Sequence, residues 1–360
     1  VPHDFELKTI IRIFFMKLGL IGLPGAGKAT LFEAMTKIVM DEASHKPEDR
    51  LGTIRVPDER VDRLSAMYNP KKTIFAQVEY LLPYIPMQKP GQKGDETAWA
   101  TVRTCDALIH VVRNFKGFGE EPATPLEDFT RLNEEMIFAD LLVVEKRLER
   151  MGLDQKRGKK SDPEELRLLV ECKEMLEKET PLRHEPELAA APQLKGFTFL
   201  SGKPMLILFN NEDEAEEMPE IGDALAGETY LVIRGRLEHE LAQMDADEAK
   251  EYSAAFNITT SAMDRMITLS YELLGLISFF TVGPDEVRAW TIKKDTPAVD
   301  AAEVIHSDIK KGFIRAEVVA YKDLMEAGAY KDARLKGTVR LEGKTYAVQD
   351  GDIIEFRFNV

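Results

Sequence analysis

Between Lys17 and Met35 the chain reads KLGLIGLPGAGKATLFEAM, and few folds accommodate that order of residues. Leu18, Leu20 and Ile21 have the character of a short buried strand, and Leu31, Phe32, Ala34 and Met35 return at helical spacing. Between them, Gly22, Gly27 and Lys28 fall at the spacing of G-x-x-x-x-G-K-[S/T]. A strand that turns through glycines into a helix leaves the first helical N–H groups pointing into a hollow. Unpaired N–H groups and the positive helix end suit a phosphate there. Lys28 then reaches the β- and γ-phosphates. The next residue, where a hydroxyl would face Mg²⁺, is Ala29. Thr30 comes one position late, and one helical step turns a side chain by about 100°. The candidate phosphate contacts are Gly22, Gly25, Ala26, Gly27, Lys28, Ala29 and Thr30. A glycine-rich turn with no ligand is the plain alternative.

Further along, Ile74–Leu82 alternates weakly, Ala107–Val112 and Pro204–Phe209 are apolar, and Tyr230–Ile233 is short. Helical patterns over Glu59–Met67 and from Leu126 to Met151 separate these strands. Such alternation implies an α/β fold with a mostly parallel sheet covered on both faces. From Leu126 to about Leu194 the alternation stops. Leu132, Met136, Ile137, Val143, Val144 and Leu148 make one helical stripe, and Leu166, Leu169, Val170, Met175 and Leu176 make a second. These predict an antiparallel helical hairpin inserted into the sheet domain. Its tip carries Lys156, Arg157, Lys159 and Lys160, either an RNA contact or a solvated loop.

A formal charge of −15 over 360 residues argues against nucleic-acid binding by whole-chain electrostatics, so any RNA contact must use a local basic patch. The two cysteines, Cys105 and Cys172, make no disulfide framework, and no apolar run is long enough to span a membrane. These point to a reducing, cytoplasmic setting. Val1–Phe15 precedes Met16 and contains IIRIFF, but no small-residue cleavage site follows. It reads as an appended remnant or mis-set start rather than a signal peptide, or as an extra strand or helix.

Near the C-terminus, Asp350-Gly351 between Tyr346–Val348 and Ile353–Phe358 is a hairpin signal. Ile353, Glu355 and Arg357 alternate with Ile354, Phe356 and Phe358. The stretch from about Ile277 to Val360 has the length of a domain that folds alone.

Taken together, FFTVGPDEVRAWTI (Phe279–Ile292), IHSDIKKGFIRAEVVAY (Ile305–Tyr321), VQDGDIIEFRFNV (Val348–Val360), GTIRVPDERVDRL (Gly52–Leu64) and DALIHVVRNF (Asp106–Phe115) resemble the Obg-like ATPase family, known as YchF. The resemblance runs from Lys17 to Val360. It implies a P-loop NTPase domain with an inserted helical hairpin and a C-terminal β-grasp (TGS) domain. By the same resemblance, Arg288, Lys310, Lys311 and Arg315 are candidate ribosome or RNA contacts, with a solvated face as the alternative.

Against the family pattern, the loop carries Gly25-Ala26 where Asn-Val is usual and Ala29 where a Mg²⁺-binding serine is usual. The threonine of the first switch falls on Lys46, and the Asp-x-x-Gly of the second falls on Leu82-Pro83-Tyr84-Ile85. Phosphoryl transfer depends on charge neutralisation by Mg²⁺, Lys and backbone, and the side chains that hold the metal are gone. Asp41, Glu42, Glu48 and Asp49 are the carboxylates near enough in sequence to enter from the first switch. The family's Asn-x-x-Glu, associated with ATP, reads Asn210-Asn211-Glu212-Asp213. Asp213 stands at the spacing from which GTPases read guanine, although the lysine of their Asn-Lys-x-Asp is missing. Alternatively, Asn210 and Asp213 cap the following turn. The last base-contacting loop, Ser-Ala-Lys in the family, is Arg234-Gly235-Arg236.

The expected organisation is an extension over 1–15, a nucleotide-binding domain over 16–125 and 201–276, a helical hairpin over 126–200, and a TGS domain over 277–360. The expected function is YchF-like binding of a purine nucleotide, GTP or ATP, in association with ribosomes or translation and with weakened or lost hydrolysis. Use of Mg²⁺ stays open, and no catalytic or metal-ligating residue is assigned. Two other readings stand beside it: an active Mg²⁺-dependent ATPase or GTPase, and a scaffold that binds RNA or protein without nucleotide.

Overall fold

A computed structural model describes residues 16–37, 48–84, 95–117, 121–255 and 261–359. The chain divides into two compact units, one of Met16–Ile54 with Glu79–Leu273 and one of Arg55–Val78 with Leu274–Val360. In chain order the first strands are β1 (Lys17–Ile21), β2 (Arg50–Arg55), β3 (Lys72–Ile74), β4 (Gln77–Leu82), β5 (Ala107–Asn114), β6 (Met205–Asn211) and β7 (Thr229–Ile233). The last are β8 (Leu276–Val282), β9 (Glu286–Lys293), β10 (Phe313–Ala320), β11 (Arg340–Glu342) and β12 (Asp352–Phe358). The first helices are α1 (Lys28–Thr36), α2 (Glu59–Tyr68), α3 (Asp95–Val102), α4 (Pro125–Lys156) and α5 (Pro163–Glu177).

In the larger unit, six strands lie in the order β2-β4-β1-β5-β6-β7. The pairs β1–β4, β1–β5, β5–β6 and β6–β7 are all parallel. Strands β5 and β6 are buried almost end to end, as expected of parallel strands covered on both faces. One core joins Ile21, Leu108, Val112, Ile207 and Phe209 of the sheet to Phe129, Leu132 and Met136 of α4. This is the α/β class expected. Because neighbouring strands are parallel, the turn after β1 and the ends of β5 and β6 emerge on the same edge of the sheet, and the candidate site lies there.

The inserted hairpin is present. Pro125 and Pro163 open α4 and α5 at positions that need no N–H partner, and Asp162 accepts from Glu164 N to cap α5. Ion pairs Arg147–Glu165 and Lys173–Glu145 tie the antiparallel helices together. The predicted stripes shift in phase: Leu168 and Cys172 are buried, whereas Leu166 and Val170 are exposed. Helix α4 also serves two cores, with Leu132 and Met136 facing the sheet and Ile137, Val144 and Met151 facing α5. A single apolar stripe cannot distinguish those partners. The tip cations are exposed, and Lys159 pairs with Asp154.

In the smaller unit, the strand order is β11-β10-β12-β8-β9-β3. Strand β12 runs antiparallel to β10 and parallel to β8, and β8–β9 is an antiparallel hairpin. Ala298, Ala301 and Ala302 of the helix Ala298–Ile305 pack on Phe279, Trp290, Val318 and Ile354.

Two strand expectations need correction. The single strand over Ile74–Leu82 is two strands in different sheets, with Ile74 ending β3 and Gln77 starting β4. The turn at Asp350-Gly351 exists, but it does not join a two-stranded hairpin. Strand β12 pairs with β10 and β8, whereas Ala347 makes only an isolated bridge to Pro297. The alternation in β12 is also interrupted: Ile353 and Ile354 are both buried and Phe358 is exposed. A third difference concerns organisation. Residues 55–78, expected within the first part of the nucleotide domain, group with the C-terminal sheet.

Candidate nucleotide site

Backbone geometry builds the loop after β1. Gly22, Gly25 and Gly27 have φ of 149°, 80° and 92°, values that side chains disfavour. At Gly22 a Cβ would sit 2.4 Å from Val111 O, and at Gly27 one would sit 2.3 Å from Asn210 Nδ2. Two of the three glycines therefore serve close packing as well as the turn. Ala26 is buried, and Gly27 caps α1 in the left-handed conformation.

Lys28 folds back over the loop. Its ammonium donates to Gly22 O at 2.7 Å and Leu23 O at 2.8 Å. Burial pushes its pKa down to about 8. Neither partner is an anion, so a phosphate oxygen would be a stronger acceptor in the same hollow. Ala29 is exposed and Thr30 is half-buried.

Asn210, at the end of β6, holds the site together. Its Nδ2 donates to Ala26 O at 3.1 Å, and its Oδ1 accepts from Gly235 N at 2.9 Å. The phosphate loop and the Arg234-Gly235-Arg236 loop are thereby tied to one buried amide. A Cβ on Gly235 would fall 2.6 Å from Asn210 Oδ1, so this glycine keeps the approach open. Turn capping belongs to a different residue: Asn211 Nδ2 donates to Ala215 O and Glu217 O. That corrects the capping alternative for Asn210.

Asp213 lies in the same loop region, with its side chain 14% exposed. Its Oδ2 accepts from Arg236 Nε at 2.6 Å, and its Oδ1 is shielded from solvent with no hydrogen-bond partner. Arg234 Nη1 reaches Asp213 O at 3.4 Å and pairs with Glu216 at 2.9 Å. The two arginines that replace Ser-Ala-Lys thus engage the Asp213 segment.

Sequence reading missed His110 on β5. Its ring is fully buried, stacks on Phe129 at 5.7 Å, and has neither nitrogen hydrogen-bonded. Burial, then the charges of Arg183 and Lys28, push its pKa down to about 3, so the ring is neutral. A lone histidine in an apolar strand is the only signal the sequence holds.

At two positions that face Mg²⁺ in the family pattern, the side chain carries no oxygen. Ala29 has no donor atom, and Leu82 is a half-buried aliphatic chain. Asp49 Oδ1 accepts from Tyr84 N at 2.8 Å, while Glu48 is exposed. No cluster of three or more His, Cys, Asp or Glu that could hold a metal occurs among the described residues. Asp41, Glu42, Lys46 and Ile85 lie outside the described residues, as does the 1–15 extension.

The expected RNA-facing cations of the C-terminal unit are mostly paired locally. Lys310 bonds Asp300 and Glu303, Lys311 bonds Asp308, and Arg288 lies 3.8 Å over the Trp290 ring. Arg315 is exposed. Among the described residues no helix is long and apolar enough to cross a membrane.

Known proteins resemble the chain over most of its length. The family model YchF-GTPase_C, described as a protein of unknown function (DUF933), matches residues 276–359. The chain is 38% identical to "Ribosome-binding ATPase YchF" of Bacillus subtilis, covering 95% of this chain and 99% of that protein. A protein of the same name from Pasteurella multocida is 35% identical, with 96% and 99% covered. Among solved structures, the YchF GTPase of Schizosaccharomyces pombe is 28% identical with a TM-score of 0.77, covering 95% of this chain and 97% of that one. A GTP-binding protein of Pyrococcus horikoshii shares the fold at 20% identity and a TM-score of 0.58, with 96% and 100% covered. With 38% and 35% identity over nearly the full length of both relatives, the chain belongs to the YchF family.

Proposed function

We propose that this chain binds a purine nucleotide in the Gly22–Thr30 loop, works in association with ribosomes, and hydrolyses the nucleotide slowly or not at all. The observation that carries the reading is the split within the loop. Gly22, Gly27 and Lys28 keep a backbone cradle and a cation poised on two carbonyl oxygens. Next to them, Ala29 and Leu82 offer no oxygen where a metal would be held. Gly25, Ala26, Ala29 and Thr30 line the phosphate turn, and Asn210 and Asp213 face the base. Lys28 and the N-terminus of α1 supply the positive charge for the phosphates. Ribosome association is proposed from the names of the relatives, with the C-terminal unit as a TGS-type module and the hairpin tip as further contacts.

Base choice rests on Asp213. Its unpartnered Oδ1 is an acceptor, and guanine presents a ring N–H and an amino group side by side, whereas adenine lacks that pair. This supports GTP over ATP, once Arg236 makes room. The test is isothermal titration of nonhydrolysable GTP and ATP analogues, in Mg²⁺ and in EDTA, with single-turnover phosphate release alongside. We expect binding that hardly changes in EDTA, a guanine preference that Asp213→Ala removes, and negligible release. Equal affinity for wild type and Lys28→Ala would sink the binding site. Mg²⁺-dependent turnover would show instead a metal site rebuilt from other residues.

A further inference from the structure

Residues 55–78 lie between two strands of the nucleotide sheet, yet they are built into the C-terminal sheet. Strand β3 extends that sheet in parallel with β9, pairing Lys72 with Glu286, Thr73 with Val287 and Ile74 with Arg288. Lys72 N donates to Asp285 O at 3.1 Å and Lys71 N to Pro284 O at 3.2 Å. Helix α2 contributes Val61 and Leu64, both fully buried. Arg60 fastens this helix. Its guanidinium bonds Asp350 at 2.6 and 3.2 Å, is steadied by Asp58, and lies 5.1 Å over the Phe280 ring. Asp350 in turn accepts from Ser278 N at 3.0 Å. One arginine thereby reaches the turn before β12 and a backbone group of β8, the two strands that pair in parallel.

The other end of the segment is equally constrained. Strand β4 is continuous through Val78–Glu79 and pairs with β1 in the register Lys17–Glu79, Leu18–Tyr80 and Gly19–Leu81. Strand β1 ends at Ile21, and the loop opens at Gly22. Only Phe75 and Ala76 separate β3 from β4, and Ala76 is buried, with its carbonyl accepting from Val56 N. The link between the two strands is thus two residues long, and one of them is buried.

We propose that Arg55–Val78 is a relay that lets the C-terminal sheet respond to occupancy of the Gly22–Thr30 loop, through β4 and β3. The proposal rests on the nucleotide-binding reading above. Its test is hydrogen exchange on the full chain, empty and with a nonhydrolysable GTP or ATP analogue at about 100 times its Kd. Amides that open only when the loop is empty then exchange about 100-fold more slowly. In the wild type we expect slowing at Gly22–Thr30, at Lys72–Ile74 and at Glu286–Lys293. Lys72→Pro removes the hydrogen bond from Lys72 N to Asp285 O, just before β9, and Arg60→Ala, the milder change, releases α2. Each should retain slowing at Gly22–Thr30 and lose it at Glu286–Lys293. Slowing confined to the loop in wild type, or unchanged slowing at Glu286–Lys293 in both variants, overturns the relay. No slowing at Gly22–Thr30 in the wild type removes the nucleotide reading and the relay with it.

Discussion

The two sides of the candidate site are made of different materials. The phosphate side is backbone: glycines at positive φ, N–H groups at a helix start, and one amide from Asn210 that closes the loop. The metal side, in the family pattern, is side chains alone, and here it reads Ala29, Lys46 and Leu82. Changes at Gly22 and Gly27 on the first side disturb packing, because Val111 O and Asn210 fill the space, whereas Gly25 has open space around it. A change at exposed Ala29 disturbs nothing around it. A backbone cradle therefore persists with the fold, whereas a side-chain metal site can be lost one residue at a time without cost to stability.

The strongest way to break this contrast is Gly22→Ala. The new methyl would meet an immobile backbone carbonyl in a strained φ region, so we expect a loss of about 3 kcal/mol or more in denaturant unfolding. Gly25→Ala tests the same principle without the clash, since nothing lies within 4 Å, and should cost only about 1 kcal/mol. Equal losses for the two would mean that packing against Val111 is not what holds the loop.

Next in size is Lys28→Ala. Losing a charge-assisted contact to phosphate should weaken nucleotide binding by about 10- to 100-fold in calorimetry. Stability of the empty protein should not fall, because the buried ammonium is disfavoured there. The sign follows from linkage. The folded pKa of about 8 lies below lysine's ordinary value of 10.5. Between those values the unfolded chain holds more protons, so this residue makes stability rise with pH across that window. Lys28→Ala should flatten that rise. Nucleotide affinity moves the opposite way, falling by up to about tenfold per unit as pH climbs past 8 and the cation is lost.

The smallest expected effect is on the metal side. Ala29→Ser with Leu82→Asp restores two oxygen-bearing side chains, and Ala29→Ser alone should change stability by less than about 0.5 kcal/mol at its exposed site. The double variant should bind a triphosphate analogue more tightly in Mg²⁺ than in EDTA before any gain in turnover appears. If the difference between Mg²⁺ and EDTA is already as large in the wild type, the two sides of the site are not unequal in the way described.

Local order was legible in the chain alone. The glycine loop, the helical hairpin and the buried strands β5 and β6 follow from spacing within a few residues, and steric and hydrophobic preferences act at that range. What the tertiary structure decided involves residues far apart. Ile74–Leu82 reads as one strand because alternation is the same in any sheet. Only pairing with β9 on one side and β1 on the other divides it. Asn210 reads as a base contact or a turn cap, and only the fold shows its amide bridging Ala26 and Gly235, which are 184 residues before it and 25 after it. His110 looked like any residue of an apolar strand until burial removed its partners. Spacing reports what a residue can do, and its role is settled by groups that only folding brings within a hydrogen bond's reach.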